Sequence, residues 1–319
     1  MTDHTVAVLA GGLSHERDVS LRSGRRLSTA LRETGMYVEE WDIDARLVGR
    51  LTGSKPDAVV VALHGGAGEN GAVQSVLEML QVPYVGTDSH ACRRAWDKPT
   101  AKAELARAGL ATPDWIALPH TAFSDLGANA MLDALVAHLG LPLVLKPDQG
   151  GSALGVEVVR DVADLPAAMV GCLAYGDTVL AEKYVEGVEV AVTVVEEPGG
   201  PRALPAVEIE ARSGFYDYAA RYTAGLTTFH SPARMDAESA AAVADLALDA
   251  HRLLGLRDVS RTDAVVTPDG VAHFLEVNVA PGLTETSLLP MAIEADGTNL
   301  GTVFANLVER AVTRTARAR

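Results

Sequence analysis

Cysteine is nearly missing from this chain of 319 residues: Cys92 and Cys172 are the only two. They lie far apart and match no metal-ligand spacing, so a disulfide framework or a zinc site is not expected. Free thiols of a cytoplasmic chain are the simplest reading. Positive charge is also short. Lysine and arginine number 27 against 42 acidic residues, a net charge of -15, and no long basic run occurs. That argues against nucleic acid as a partner. A phosphate-bearing ligand would need a local basic pocket, because the global field repels it. No stretch approaches the ~20 apolar residues of a membrane span. The start, MTDHTVAVLAGG, has no basic segment and an apolar run about one strand long, so no export signal is expected. The Gly11-Gly12 turn in GGLSHER lacks the G-x-G-x-x-G spacing, and no G-x-x-x-x-G-K-[ST] occurs, so neither a dinucleotide fingerprint nor a P-loop is present. No internal repeat is visible, and no Ser or Cys nucleophile with a partner His is evident.

What remains is 48% hydrophobic and 22% charged, a soluble globular composition long enough for two or three domains. Residues 5–10 read as a buried strand, followed by Gly11-Gly12 and a helix over 19–33. Strands follow at 37–43 and 57–63, the latter ending in His64-Gly65-Gly66, then a helix over 72–80 and a strand at 83–85. This alternation predicts a parallel α/β layer, with ligands beyond the carboxyl ends of its strands. Glu16 and His64 both follow such ends. Glu16 could equally be a carboxylate favoured by a helix N-terminus, and His64 a structural histidine.

Residues 86–97 are polar and read as a boundary. Lys98-Pro99 opens a helix to about 108, and a new αβ unit has a strand at 115–118 and a helix at 128–139. In LVLKPDQGGSALGVEVVR, residues 143–160, a strand ends in Lys146 and another resumes at Val156. The glycine-rich link between them reads as a hairpin lid whose N–H groups could cradle phosphate, or as an ordinary glycine hairpin. Around Glu182-Lys183 and Glu186-Gly187, charges interrupt two apolar strands. A carboxylate, exposed backbone and an aromatic there would suit adenine and ribose. Residues 208–235 lack clear periodicity but hold Tyr216, Tyr218 and Tyr222, three of the seven tyrosines. A loop this long is functional or disordered, and the aromatics favour a closing lid. Asp236 caps a helix to about Leu254, with Val243, Leu246, Ala247, Ala250, Leu253 and Leu254 toward the core. A last helix spans 300–312, and the tail over 312–319 is expected to fray.

Residues 261–290, RTDAVVTPDGVAHFLEVNVAPGLTETSLLP, concentrate the chemistry. Thr-Pro-Asp-Gly between two apolar runs predicts a hairpin. A two-residue loop of Pro268 and Asp269 would pair Asp263 with Phe274 and Arg261 with Glu276. Arg261, Asp263, Glu276 and Asn278 would then share one face. Three oxygen ligands beside a guanidinium point to Mg²⁺ and phosphate. One extra loop residue would split the set.

In this order, seven stretches resemble the D-alanine–D-alanine ligases of the ATP-grasp superfamily: GGLSHERDVSL, ALHGGAGENGAVQSVLEMLQVPYVG, WDK, LVLKPDQGGSALG, AEKYVEGVE, GFYDYAARY, and RTD with FLEVNVAPGLTETSLLPMA. The resemblance covers nearly the whole chain. It implies an α/β fold, α+β in parts: an N-terminal parallel α/β domain over 1–97, a central ATP-grasp domain over 98–183 with the glycine-rich lid, and a C-terminal ATP-grasp domain over 184–319. It implies ATP-dependent formation of D-alanyl-D-alanine through an acyl phosphate, for peptidoglycan precursors. Lys98 and Lys146 would contact phosphates, with Ser152 in the lid. Glu182, Lys183, Tyr184, Val185, Glu189, Arg221 and Phe274 would complete the ATP site. Asp263, Glu276 and Asn278 would hold two Mg²⁺, with Mn²⁺ as an alternative. Arg261 and the Gly282 N–H would stabilise the oxyanion. Glu16 would take the first substrate's ammonium, with His64 nearby, and Ser287 with the Leu288 N–H the second substrate's carboxylate. Tyr222 would close over the site toward Ser152 and Glu16. A cytoplasmic homodimer, without nucleic acid or membrane partners, follows by family analogy.

Three departures bear on specificity. Ala153 replaces the second Ser of Gly-Ser-Ser, Arg221 the usual Lys, and Val279-Ala280 the common Thr-Ser. Tyr222 favours the dipeptide. The alternatives are a ligase with a different D-amino acid or D-hydroxy acid acceptor, and a catalytically silent nucleotide-binding regulator.

Overall fold

A computed structural model of the chain describes residues 4–318. The first sheet is built from β1 (Thr5–Leu9), α1 (Arg17–Glu33), β2 (Tyr37–Trp41), α2 (Leu47–Ser54), β3 (Ala58–Val61), α3 (Ala72–Met79) and β4 (Tyr84–Val85). Its strands run parallel in the order β2-β1-β3-β4. β1 is apolar on both faces because helices cover both, as a parallel sheet demands. α1 crosses close to β1: a Cβ on Gly24 would lie 2.4 Å from the Ala10 Cβ, so glycine permits the approach.

Two helices follow, α4 (Ser89–Trp96) and α5 (Lys98–Arg107). The polar boundary expected over 86–97 is therefore mostly helix. Asp88 caps α4 by accepting from the N–H groups of His90 and Ala91, and Asp97 caps α5 through the N–H of Thr100. The polar residues cap and face outward, while Ala91, Cys92 and Ala95 enter the core.

The second sheet comprises β5 (Trp115–Pro119), α6 (His120–Leu126), α7 (Ala128–Leu139), β6 (Leu143–Pro147), β7 (Glu157–Val159), α8 (Leu165–Leu173) and β8 (Thr178–Lys183). It is antiparallel, in the order β5-β8-β6-β7. The third has β9 (Val188–Glu197), β10 (Gly200–Ala203), β11 (Val207–Ala211), α9 (Tyr218–Tyr222), β12 (Thr227–His230), α10 (Ala237–Leu253), β13 (Val259–Val266), β14 (Ala272–Asn278), α11 (Leu288–Ala295) and α12 (Leu300–Ala318). Its order is β12-β11-β9-β13-β14, with β10 on β9.

The cores explain how the sheets are held. Apolar residues of β1 to β3 share one cluster with β9, β11, α11 and α12, so the first and third sheets are packed together. Ala101 and Leu105 of α5 join the core under β9, β13 and β14. The second sheet closes its own core with α7 and α8. Four local expectations change. The segment over 208–235 is not one open loop: β11 and β12 pair around α9, whose start Asp217 caps. Leu253 is 45% exposed at the end of α10, not in the core. α12 runs on to Ala318, with Arg319 outside the described residues. Arg314 holds it there by donating to Asp258 and to the Tyr84 carbonyl.

The fourth concerns the hairpin. Val266 pairs with Ala272 and Ala264 with Phe274, so the turn is longer than two residues. A bulge then skips Leu275, setting Asp263 opposite Glu276 and Arg261 opposite Asn278. The longer turn alone would have split the four polar residues. The bulge returns them to one face.

Candidate active site

A cavity of about 350 Å³ lies between the second and third sheets. Lys146, Glu182 and the lid loop over 148–156 wall one side; Glu189, Asp263, Leu275 and Glu276 wall the other. Tyr216 and Arg221 close it from the β11–β12 segment, the Arg221 guanidinium stacked 4.2 Å from the Tyr216 ring centre.

The β13–β14 face carries the acids. Arg261 donates two bonds to Asp263, Nε to Oδ1 at 2.7 Å and Nη2 to Oδ2 at 2.8 Å. Residues two apart on a strand share a face, which permits this fork. Burial raises the Glu276 pKa, but Lys98, Lys146, Arg221 and Arg261 more than offset it and hold the carboxyl well below its usual range. Lys98 Nζ lies 3.5 Å from Glu276 and donates to the Gly150 carbonyl at 2.7 Å. α5 thus ties the lid loop to the acidic face. Asn278 Oδ1 accepts from the N–H of Ala280. Two carboxylates and an amide oxygen on one face, with neighbouring cations keeping Glu276 charged, fit a hard divalent cation.

The β6–β8 face carries the bases. Lys146 Nζ lies 2.7 Å from one oxygen of Glu182, and Lys102 Nζ 2.6 Å from the other. The Glu182 carboxylate is therefore committed to two lysines. Expected among the nucleotide contacts, its side chain is not free to hold a base or ribose. Burial raises its pKa, and the two lysines reverse this, leaving it lowered. Tyr184 and Val185 line the cavity, Arg160 lies 5.2 Å over the Tyr184 ring, and Lys183 is exposed. A Cβ on Gly187 would lie 2.4 Å from the Val266 carbonyl, so glycine lets the chain pass from β8 to β9. Glu189 is pushed up to about 7, chiefly by desolvation. Phe274 requires a correction: it is wholly buried in the core beneath the third sheet, and Leu275 lines the cavity in its stead. The longer turn is the reason: it sets Phe274 opposite Ala264 rather than Asp263.

Beside this cavity three expected residues meet. Ser152 Oγ donates to Glu16 and lies 2.6 Å from the Tyr222 hydroxyl. Ser152 and Ala153 both take left-handed backbone, φ 55° and 54°, which folds the lid over Glu16. Gly65, at φ 66°, backs the same carboxylate, and a Cβ there would lie 2.3 Å from Glu16 Oε2.

His64 is buried and bridged. Its Nδ1 lies 2.9 Å from the Ala280 carbonyl and its Nε2 2.7 Å from Ser23 Oγ. Desolvation pushes its pKa down to about 4, leaving a neutral ring. Ser23 Oγ also accepts from the N–H of Leu283, and Arg26 donates to the carbonyls of Leu283 and Thr284. α1 thereby pins the loop before α11. Ser287 Oγ accepts from the Thr284 N–H and lies at the cap of α11, where Leu288 begins the helix. A Cβ on Gly282 would lie 2.7 Å from Ser287 Oγ, so glycine leaves room for the Ser287 hydroxyl.

The chain resembles known proteins over nearly its whole length. The family model described as the D-ala D-ala ligase C-terminus matches residues 105–309, and that of the N-terminus residues 39–87. The chain belongs to the D-alanine–D-alanine ligase family. It is 39% identical to the D-alanine–D-alanine ligase of Anaeromyxobacter sp. (strain K) over 97% of this chain and 96% of that one. With the enzyme of Desulforudis audaxviator it shares 41% over 96% and 97%. Among solved structures, the Bacillus anthracis D-alanine–D-alanine ligase complexed with ATP superposes with a TM-score of 0.82 at 28% identity, covering 99% of this chain and 100% of that one. The VanG D-Ala:D-Ser ligase of Enterococcus faecalis gives 0.83 at 26%, covering 97% and 100%. The ATP-grasp fold of the family is therefore the fold of this chain.

Sequence reasoning passed over three buried residues that touch the expected site residues. Lys102 sits one turn after Lys98 on α5, a spacing that could have flagged it. Glu69, inside GAGENG, accepts from the Gly65 N–H at 2.7 Å. Burial first, then the nearby Glu16, raises its pKa well above the usual carboxylate range. Ser23 carried no sequence signal, since it is one small residue on a buried helix face.

Proposed function

We propose that the chain joins two D-alanines into D-alanyl-D-alanine at the expense of ATP. The observation that carries this is the cavity itself: Lys98 and Lys146 line it with Asp263 and Glu276, Asn278 stands opposite Arg261 on the same strand pair, and Glu16, Ser152 and Tyr222 meet at its edge. The first D-alanine offers its carboxylate oxygen to the γ-phosphorus of ATP, the bond to the bridging oxygen breaks, and ADP leaves. Such transfer needs alignment and neutralisation of charge rather than a protein nucleophile. Lys98 and Lys146 hold the polyphosphate. Asp263, Glu276 and Asn278 would hold Mg²⁺, which when bound neutralises phosphate oxygens.

Glu16 takes the ammonium of the first D-alanine. The amine of the second D-alanine, having lost a proton, attacks the acyl-phosphate carbon, and phosphate departs with the C–O bond electrons. Arg261 and the Gly282 N–H face the developing oxyanion. Ser287 and the Leu288 N–H receive the second carboxylate, the end of α11 favouring an anion. Tyr222 and Ser152 close the site against water, which would otherwise hydrolyse the acyl phosphate.

The product is a peptidoglycan precursor, and the chain acts in the cytoplasm as a homodimer; sedimentation as a monomer at working concentration would remove the dimer. The N-terminal unit over 1–97 supplies the first-substrate seat, and the units over 98–183 and 184–319 enclose the nucleotide. The direct test incubates purified protein with D-alanine, ATP and Mg²⁺. Equal release of ADP, phosphate and dipeptide is expected, and no ADP with no dipeptide overturns the reading. A second reading, another acceptor, is favoured by Ala153 in the lid and by the likeness to a D-Ala:D-Ser ligase. Competition among D-alanine, D-serine and D-lactate decides, and clear D-alanine preference removes it.

A further inference from the structure

Lys102 takes no part in the chemistry above, yet it is the bulkiest of the fully buried side chains among the described residues. A lysine out of water needs strong partners. Its Nζ lies 2.6 Å from Glu182 Oε1 and donates to Thr112 Oγ1, whose hydroxyl donates to the Phe274 carbonyl at 2.8 Å. Lys146 holds the other Glu182 oxygen from the cavity side. The three charges form a line from core to cavity: Lys102, Glu182, Lys146.

The order matters. A single buried carboxylate beside Lys146 would cancel its charge. With Lys102 behind, the trio carries one net positive charge, and Lys146 is its cavity end. We propose that Lys102 is a positioning residue for ATP binding: it neutralises Glu182 from behind, so that Lys146 is held in place without losing its pull on the polyphosphate. This rests on the phosphate role proposed for Lys146. The same side chain reaches, through Thr112, the backbone of β14 two residues before Glu276. The phosphate-facing lysine and the acidic strand are thus referenced to one buried ammonium.

The test is a charge-balance cycle: Lys102→Met, Glu182→Gln and the double variant. ATP binding is measured by calorimetry with Mg²⁺ and without D-alanine, and KM is measured for each substrate. Lys102→Met leaves a neutral Glu182–Lys146 pair, so ATP binding should weaken by about 10-fold or more while KM for D-alanine stays within about 2-fold. The double variant restores the single positive charge and should return ATP affinity to within about 3-fold of the unaltered chain. A merely structural role would predict no such rescue. Unchanged ATP affinity in Lys102→Met, or a double variant no better than the single, overturns the proposal. If Lys102→Met does not fold, the double variant decides: with the single positive charge kept on Lys146 it should bind ATP within about 3-fold of the unaltered chain, and a larger loss overturns the proposal. Failure of the unaltered chain to bind ATP would instead refute the phosphate role itself.

Discussion

The two strand pairs that face each other across the cavity use one device with opposite sign. Lys146 of β6 and Lys102 of α5 close on Glu182 of β8, while β13 and β14 set two carboxylates and an amide around one guanidinium. The basic trio keeps a positive charge that the low-dielectric interior makes costly unless an anion is present. On the acidic face Glu276 has Lys98 as its partner, 3.5 Å away, so a ligand that draws the lysines must bring a cation for the acids. A polyphosphate with its metal is such a ligand, anionic toward one face and cationic toward the other. The difference teaches why an acidic chain can bind ATP: the positive charge is local and deep, so the overall negative field matters little at contact distance.

The comparison can be broken most severely at Glu276. Glu276→Gln removes a ligand charge from the acidic face, and turnover should fall by about 10³-fold or more. Near-normal rates at saturating Mg²⁺ would refute the metal role. On the basic face, Lys146→Met leaves Lys102 and Glu182 as a neutral pair. KM for ATP should rise by about 10²-fold with KM for D-alanine unmoved, and equal changes in both would deny the faces their separate roles. Smaller effects come from the edge. Tyr222→Phe loses the hydroxyl 2.6 Å from Ser152 Oγ. A fall in kcat of about 10-fold, or a shift in acceptor preference, is expected, and unchanged kinetics with every acceptor counts against the lid assignment.

His64 is the control outside both faces, since it is buried neutral. Its pKa is lower in the folded chain, about 4 against an ordinary 6.5. Its contribution to stability is full above pH 6.5 and is lost as pH falls toward 4, because the unfolded chain takes the proton first. The loss should approach about 1.4 kcal/mol per pH unit within that window. Urea unfolding of the chain and of His64→Asn between pH 6.5 and 4.5 measures it. The same slope in both would assign the acid sensitivity to other groups.

Much of this site was legible because its signals are local. Glycine beside a strand end, Lys146 before a glycine loop, and three tyrosines in one segment can each be read within a short window. The opposed polar face of residues 261–278 was also legible, but for a reason that proved incomplete. A two-residue turn was expected to align it; a longer turn and a bulge at Leu275 do so instead. The longer turn also exchanged Phe274 for Leu275 at the cavity. Whether a strand skips a residue is decided by what packs on both its faces, and here Phe274 is drawn into the core with α5 and α10.

By itself, the sequence determined most of the strands and helices, though not α4, β11, α9 or β12, and pointed to the polar residues of both cavity faces, because apolar periodicity and turn residues act over a few neighbours. It could not decide who neutralises whom. Lys102 looks like an ordinary helix-surface lysine until α5 is packed beneath the third sheet and reaches across to Glu182. Glu182 looks like a ligand group until two lysines arrive from α5 and β6. Pairings of that kind join residues distant in the chain, and only the tertiary structure, by removing water from between them, made them partners.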